Sequence, residues 1–327
     1  MSYTVTQESF DSLTSYWADS SLRLKWGSVF SLPSWLKVWW REFKPGTELY
    51  LVSVRQQTEI IGIAPLQTKE GEASFIGSAD VCDYLDFVTV LGREDEFFNA
   101  LFDDLKIQNI NRLELRSVRP DSTVVTNLAN VARSRGLEVL HQKEGLSLEL
   151  DLPATWDEYL AGLSKKQRHE VKRKLRRLWG AGNVNYRCLQ ASPEEAGALT
   201  DTFLKLFPLS REDKADFMTI RMQSFFRSLT ETMAEIKLLR YGLLEVDAQA
   251  AAMIMGFDYN DTMYLYNSAF DPQYDSLSVG LLSKVLCIKE SIARGMKRWD
   301  FLKGTERYKY ELGGNEVPLY NYRITIK

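Results

Sequence analysis

Ala250-Ala-Ala-Met-Ile-Met-Gly-Phe257, Asp258-Tyr-Asn-Asp261 and Thr262-Met-Tyr-Leu-Tyr-Asn-Ser-Ala-Phe270 follow one another without a break. The first and third are apolar runs of strand length. The second is rich in residues that tolerate turn conformations, so the three together predict a hairpin. A helix is predicted next, because Leu281, Leu282, Val285, Leu286, Ile288 and Ile292 recur at helical spacing, with Gly295 as its stop. Arg298-Trp-Asp-Phe-Leu302 is a short strand, followed by the tail Lys303–Gly313. The order is strand, strand, helix, strand.

Working outward, Ile236–Leu244 predicts a strand leading into the hairpin. Asp213–Glu235 and Pro193–Leu206 read as helices, and Asn183–Gln190 as a strand. One long helix is predicted from Thr155 to about Trp179, with Thr155 and Glu158 spaced as a capping box. Its apolar stripe is Trp156, Leu160, Leu163, Val171, Leu175 and Leu178, and its other faces carry eight Lys or Arg between Lys165 and Arg177. That charge fits either a phosphate-gripping surface or a solvated amphipathic face. Asp151-Leu-Pro-Ala-Thr155 is the expected domain boundary, giving domains 1–150 and 151–327.

The first half has a similar rhythm. Residues 7–43 read as helices dense in aromatics, of which Trp35, Trp39 and Trp40 suit a core. Glu48–Val54 and Glu59–Leu66 read as paired strands, with Ala73–Gly77 and Asp83–Val90 as further strands. Phe97–Leu105 is a helix and Arg112–Ser117 a strand by alternation. Thr123–Arg135 is a helix, then Leu137–Leu140 and Leu146–Leu150 are strands, and Leu319–Ile326 is the last strand. Glu48–Ser117 therefore repeats the element order of Ile236–Leu302, which predicts two copies of one α/β unit built on mixed sheets.

The composition narrows the chemistry. Over 327 residues the net charge is −3, so no global field draws the protein to nucleic acid or membrane. Cys82, Cys188 and Cys287 are odd in number and far apart in sequence, so no disulfide framework is expected. No cysteine pair has zinc-ligand spacing, and His141 and His169 are the only histidines, so no metal is expected. A triad of Ser or Cys beside His is equally ill supplied. The N-terminus has no signal-peptide pattern and no apolar run approaches a membrane span, so a soluble cytoplasmic protein is the expectation.

Trp299-Asp-Phe-Leu-Lys-Gly304 followed by Tyr308-Lys309 resembles the CelD-like acyltransferases, GNAT-superfamily relatives of the FemAB family. Phe30, Pro33, Trp35 and Trp39-Trp40 resemble the opening of that group, with Leu32 inserted. Ile60–Leu66 and Asp83-Tyr-Leu-Asp86 resemble its N-terminal signatures. The resemblance covers nearly the whole chain and implies two tandem GNAT-like domains with a central cleft. It also implies acyl transfer from acyl-CoA to an amine or sugar hydroxyl of a small-molecule or glycan acceptor, in polysaccharide or cell-envelope synthesis. A FemAB-like transferase using aminoacyl-tRNA and a degenerate fold serving as a scaffold are the alternatives.

On that resemblance, Asn267, Ser268 and Ala269 end the strand that faces the thioester, with an oxyanion-binding N–H near Ser268 or Ala269. Ser276, Ser278, Val279 and Gly280 form the helix start that would hold pyrophosphate. The usual Gln/Arg-x-x-Gly-x-Gly/Ala loop is absent; Gly280 is the one glycine in the window. Asp271 is the candidate base, or a turn residue before Pro272. Tyr308 is the candidate general acid, and Lys309 suits an anionic acceptor or a carbonyl. Asp300 is either catalytic or a buried structural carboxylate. Asp83, Tyr84 and Asp86 are candidates for acceptor binding, or an outward-facing strand end. Lys166 and Arg168 match a Lys-x-Arg segment of the family with a direct role if the donor is tRNA.

Overall fold

The computed structural model describes residues 2–210 and 212–326, and the chain separates into two compact units. Unit 1 comprises Met1–Leu146 and Val317–Lys327; unit 2 comprises Ser147–Glu316. No described helix is long and apolar enough to cross a membrane.

In unit 1, β1 (Tyr3–Gln7), α1 (Phe10–Ala18), β2 (Leu24–Lys25) and α2 (Pro33–Phe43) come first. Then follow β3 (Glu48–Gln56), β4 (Glu59–Lys69), β5 (Glu72–Phe75), β6 (Val88–Val90), α3 (Glu94–Ile107) and β7 (Arg112–Val118). A π-helical turn (Val124–Leu128) leads into α4 (Ala129–Ser134) and β8 (Glu138–Asp151), the latter ending in unit 2. Unit 2 continues with α5 (Trp156–Gly162), α6 (Lys165–Trp179), β9 (Val184–Gln190), α7 (Pro193–Leu206), α8 (Glu212–Phe217) and α9 (Ile220–Glu235). It closes with β10 (Leu239–Val246), β11 (Gln249–Tyr259), β12 (Thr262–Phe270), α10 (Val279–Ala293), β13 (Arg298–Lys303) and α11 (Arg307–Glu311). β14 (Asn315–Thr325) returns to unit 1.

Each unit repeats one plan. In unit 1, β1, β3, β4 and β5 pair antiparallel in that order, α3 crosses over, and β7 pairs parallel to β5. In unit 2, β9, β10, β11 and β12 pair antiparallel, α10 crosses over, and β13 pairs parallel to β12. The echo extends further than the sequence indicated, because β1 precedes the helices of residues 7–43 as β9 precedes α7.

Local chemistry sets most boundaries. The β11–β12 hairpin turns through Asn260 and Asp261, both left-handed at φ 48° and 55°, as a tight hairpin requires. Asp247 and Ala248 do the same between β10 and β11, at φ 48° and 61°. The long helix expected from Thr155 is two helices. The Thr155–Glu158 capping box starts α5, and a second box, Ser164 with Gln167, restarts the chain as α6. Likewise Asp213–Glu235 breaks into α8 and α9, because Thr219 accepts from the Met222 N–H and caps a new helix. The expected strand over Asp83–Val90 shortens to Val88–Val90, and the two strands expected over 137–150 are the single β8.

Trp35 and Trp39 are buried, as their density predicted, with Phe30, Phe87 and Phe97 in the same unit. The unit 2 core forms around Trp299, Phe301, Leu265 and the apolar length of α10.

Candidate acyl-transfer site

The parallel ladder between β12 and β13 has three rungs: Thr262 opposite Arg298, Met263 opposite Trp299, and Tyr264 opposite Asp300. The strands then part, although β12 runs on to Phe270 and β13 to Lys303. From Leu265 onward β12 is laddered to β11 alone. In an antiparallel pair alternate residues aim both backbone groups at the neighbour. The Asp271 N–H donates to the Ala251 carbonyl at 2.9 Å, so Asp271, Ala269 and Asn267 face β11. Ser268 and Phe270 therefore face the gap.

Side chains from the α7–α8 region meet those groups. The Ser210 hydroxyl accepts from the Phe270 N–H at 2.8 Å and donates toward its carbonyl at 3.1 Å. The Lys214 ammonium donates to the Ser268 carbonyl and lies 4.6 Å from the Phe207 ring centre. Of the two amides the sequence offered as oxyanion donors, Ser268 has the right direction and Ala269 does not.

Beyond β12, Asp271 accepts from the Gln273 N–H at 2.9 Å and the Gln273 side-chain amide at 2.7 Å. Its carboxylate fixes a 3-10 turn over Pro272–Leu277, the turn role offered as the alternative to a base. Ser276 lies exposed in that turn. Ser278 is left-handed at φ 58° and does not cap α10 with its side chain; its hydroxyl accepts from Arg177 Nη2 of α6 at 2.9 Å. Val279 and Gly280 begin α10, and their N–H groups precede any intrahelical acceptor. A Cβ on Gly280 would stand 2.9 Å from the Phe270 ring, so this glycine seats α10 on β12. We expect Gly280→Val to cost about 1–3 kcal/mol by overpacking. It should also weaken donor binding by roughly tenfold, one factor of ten being about 1.4 kcal/mol. Thermal melts and ligand titration of the variant check this.

The other wall is β13. Leu302 is left-handed at φ 61° where the register with β8 shifts, and the buried Asp300 carboxylate accepts the Leu302 N–H at 2.8 Å. Asp300 is thus the structural carboxylate of the two readings. The buried Lys309 ammonium donates to the carbonyls of Leu302, Lys303 and Gly304 at 3.1, 2.6 and 3.3 Å and pairs with Glu306 at 3.0 Å. It ties down the end of β13 rather than reaching toward an acceptor. Tyr308 is half-buried, with its ring edge-on to Phe301 at 6.4 Å.

Over that ring sits a residue the sequence reading missed. Lys284 of α10 is buried, its Nζ 4.9 Å from the Tyr308 ring centre and 2.7 Å from the Gly280 carbonyl. Burial above all, and then the charge of Lys214, push its ammonium down to about 7. The available signal was a lone lysine inside the otherwise apolar run Leu281–Ile288.

Residues 165–310 match the family described as an acetyltransferase (GNAT) domain. Unit 2 carries a GNAT acetyltransferase domain. A crystal structure of FemX superposes with a TM-score of 0.65 at 12% identity, covering 98% of this chain and 96% of that chain. A conserved protein of unknown function from Bacteroides thetaiotaomicron gives 0.59 at 13% identity, covering 90% of each chain. The C-terminal domain of a putative lysylphosphatidylglycerol synthetase from Agrobacterium fabrum gives 0.53 at 10% identity, covering 81% of this chain and 80% of that one. At these identities the likeness is one of fold. No curated protein matches the chain by sequence.

The GNAT domain thus has a strand edge that is not laddered to β13, a helix start with an arginine on it, and a tyrosine beside a lysine that can be neutral near pH 7. Of the basic residues on α6, Lys165, Lys166, Lys172, Arg173, Arg176 and Arg177 are exposed. Arg168 is half-buried, with Nη1 3.4 Å from the Ala161 carbonyl at the end of α5.

The unit 1 residues read as acceptor-binding candidates, or else as an outward strand end, do not form an outward strand end. Tyr84 is buried, edge-on to Phe30 at 5.8 Å, with the Arg119 guanidinium 5.0 Å from its ring centre. Asp86 accepts from the Thr123 N–H at 2.9 Å, the Thr123 hydroxyl at 2.6 Å and the Phe87 N–H at 2.9 Å. Burial raises its carboxyl to about 6 against those bonds. It holds the chain to the start of the helical turn at Val124. Asp83, which precedes both in sequence, is half-buried.

Proposed function

We propose that unit 2 transfers an acyl group from acyl-CoA to an amine or sugar hydroxyl. The reading is carried by the parting of β12 and β13 immediately before α10. That gap offers a thioester an unladdered strand edge, and the helix start offers its phosphates free N–H groups and the Arg177 guanidinium. The Ser268 N–H faces the gap and stabilises the oxygen of the carbonyl under attack. Lys284, neutral near pH 7, takes the proton from the incoming amine. Tyr308 gives its proton to the leaving thiolate. Polysaccharide or cell-envelope synthesis, from the motif resemblance, is the setting we favour for the acceptor.

One observation favours a second reading. The exposed cations of α6 lead to Arg177 at the start of α10, a track longer than one coenzyme needs and suited to the phosphates of an aminoacyl-tRNA. Melting the protein with acetyl-CoA, long-chain acyl-CoA and charged tRNA separates the readings. A bound donor at ~100 times its dissociation constant should stabilise the fold by roughly 2.7 kcal/mol. Arg177→Glu should weaken whichever donor binds. Lys172→Glu with Arg176→Glu should leave acyl-CoA unchanged, but should lower the salt slope for tRNA by about 0.7–0.9 per lost phosphate contact. A melting temperature indifferent to all three would defeat both readings and leave a scaffold.

A further inference from the structure

Unit 1 repeats the parting of strands. β5 and β7 pair parallel at Glu72–Arg112 and Ala73–Leu113 and then separate. The next-to-last residue of β7, Ser117, is left-handed at φ 56°, as Leu302 is in β13, and again a carboxylate, Glu144, accepts the freed N–H, here at 2.7 Å. The space beyond the last rung is a cavity of about 610 Å³, within the size range of small-molecule sites of roughly 300–1,000 Å³.

Its polarity is opposite to that of the GNAT site. The two arginines on its wall are already neutralised: Arg323 pairs with Glu114 at 2.7 Å and Arg116 with Glu144 at 2.8 Å. Glu72 pairs with Arg112 at 3.2 Å. What remains is acceptor chemistry. Asn321 lines the cavity, and its side-chain oxygen is buried with no hydrogen-bond partner. Asp80 is exposed on the wall and makes no ion pair or hydrogen bond among the described residues. Phe75 and Leu85 add an apolar surface. A buried acceptor without a donor is costly, so it marks where a ligand N–H or O–H gains most. An unpaired carboxylate selects positive charge and repels phosphate.

We propose that unit 1 holds a second ligand site in the β5–β7 cavity, for a small hydroxylated amine of the amino-sugar class. The amine meets Asp80, a hydroxyl donates to Asn321, and the ring's C–H face lies on Phe75 and Leu85. The site stands independently of acyl transfer in unit 2.

Calorimetry and NMR titration with glucosamine, glucose, glucose 6-phosphate and spermidine test it. Glucosamine should bind, at least about tenfold more tightly than each of the others, the scale expected when a buried acceptor or a charge goes unmatched. Asp80→Asn should remove the preference over glucose. Asn321→Leu, and separately Ser74→Phe to fill the cavity, should abolish binding while the circular dichroism and any acyl-CoA-induced melting shift stay unchanged. Failure of all four compounds to bind, tighter binding of glucose 6-phosphate, or binding that survives both Asn321→Leu and Ser74→Phe overturns the proposal.

Discussion

Lys284→Met should make the protein more stable and less active. The ammonium is held at about 7, against a usual 10.5, chiefly by burial. At about 1.4 kcal/mol per unit, keeping it charged in the fold costs on the order of 5 kcal/mol below pH 7. Methionine removes that cost but loses the hydrogen bond to the Gly280 carbonyl, worth about 1 kcal/mol, and the contact with the Tyr308 ring, worth about 1–2 kcal/mol. A net gain of roughly 2–3 kcal/mol near neutral pH follows. The sign of the pH dependence is fixed by proton counting. Between about pH 7 and 10 the folded amine is neutral while the unfolded one is still protonated, so wild-type stability climbs with pH there. The variant should be flat over the same range. Turnover should fall by about 10²–10⁴ if Lys284 removes the acceptor's proton. Urea melts from pH 6 to 10 alongside rates check both halves. A variant destabilised at every pH with full activity would refute the assignment.

Tyr308→Phe should separate chemistry from binding. The ring keeps its place beside Phe301 and under Lys284, so acyl-CoA affinity and melting temperature should stay near wild type. Turnover should fall by about 10²–10⁴ if the hydroxyl protonates the leaving thiolate. Thioesters with more acidic thiols need less of that proton, so they should lose less rate. Equal losses for all leaving groups would remove the general-acid role.

The sequence made the element order of unit 2 legible because its signals are local. Turn residues at 258–261, apolar spacing from Leu281 to Ile292 and the Gly295 stop each act within a few residues. The Thr155 and Glu158 box was legible for the same reason. The break at Ser164 was not, because an apolar stripe that continues in phase across two helices looks like one. The site residues divide in the same way. Tyr308 stands beside the lysine it was read with, yet Lys309 turns inward because the left-handed bend at Leu302 presents three carbonyls that need a cation. Asp271 is taken by Gln273, two residues on.

What the sequence by itself determined is the α/β character, the internal repeat and the strand–strand–helix–strand order that holds the candidate site. Those rest on periodicity and turn chemistry, which neighbouring residues decide together. Tertiary structure alone decided that burial over the Tyr308 ring would push the Lys284 ammonium down to about 7, and that Arg177, 101 residues before Ser278, would meet it. It alone brought Asn321 from the end of the chain to the cavity beside β5 and β7. Charge, solvation and partner are properties of the space around a side chain, and that space is built from residues distant along the chain.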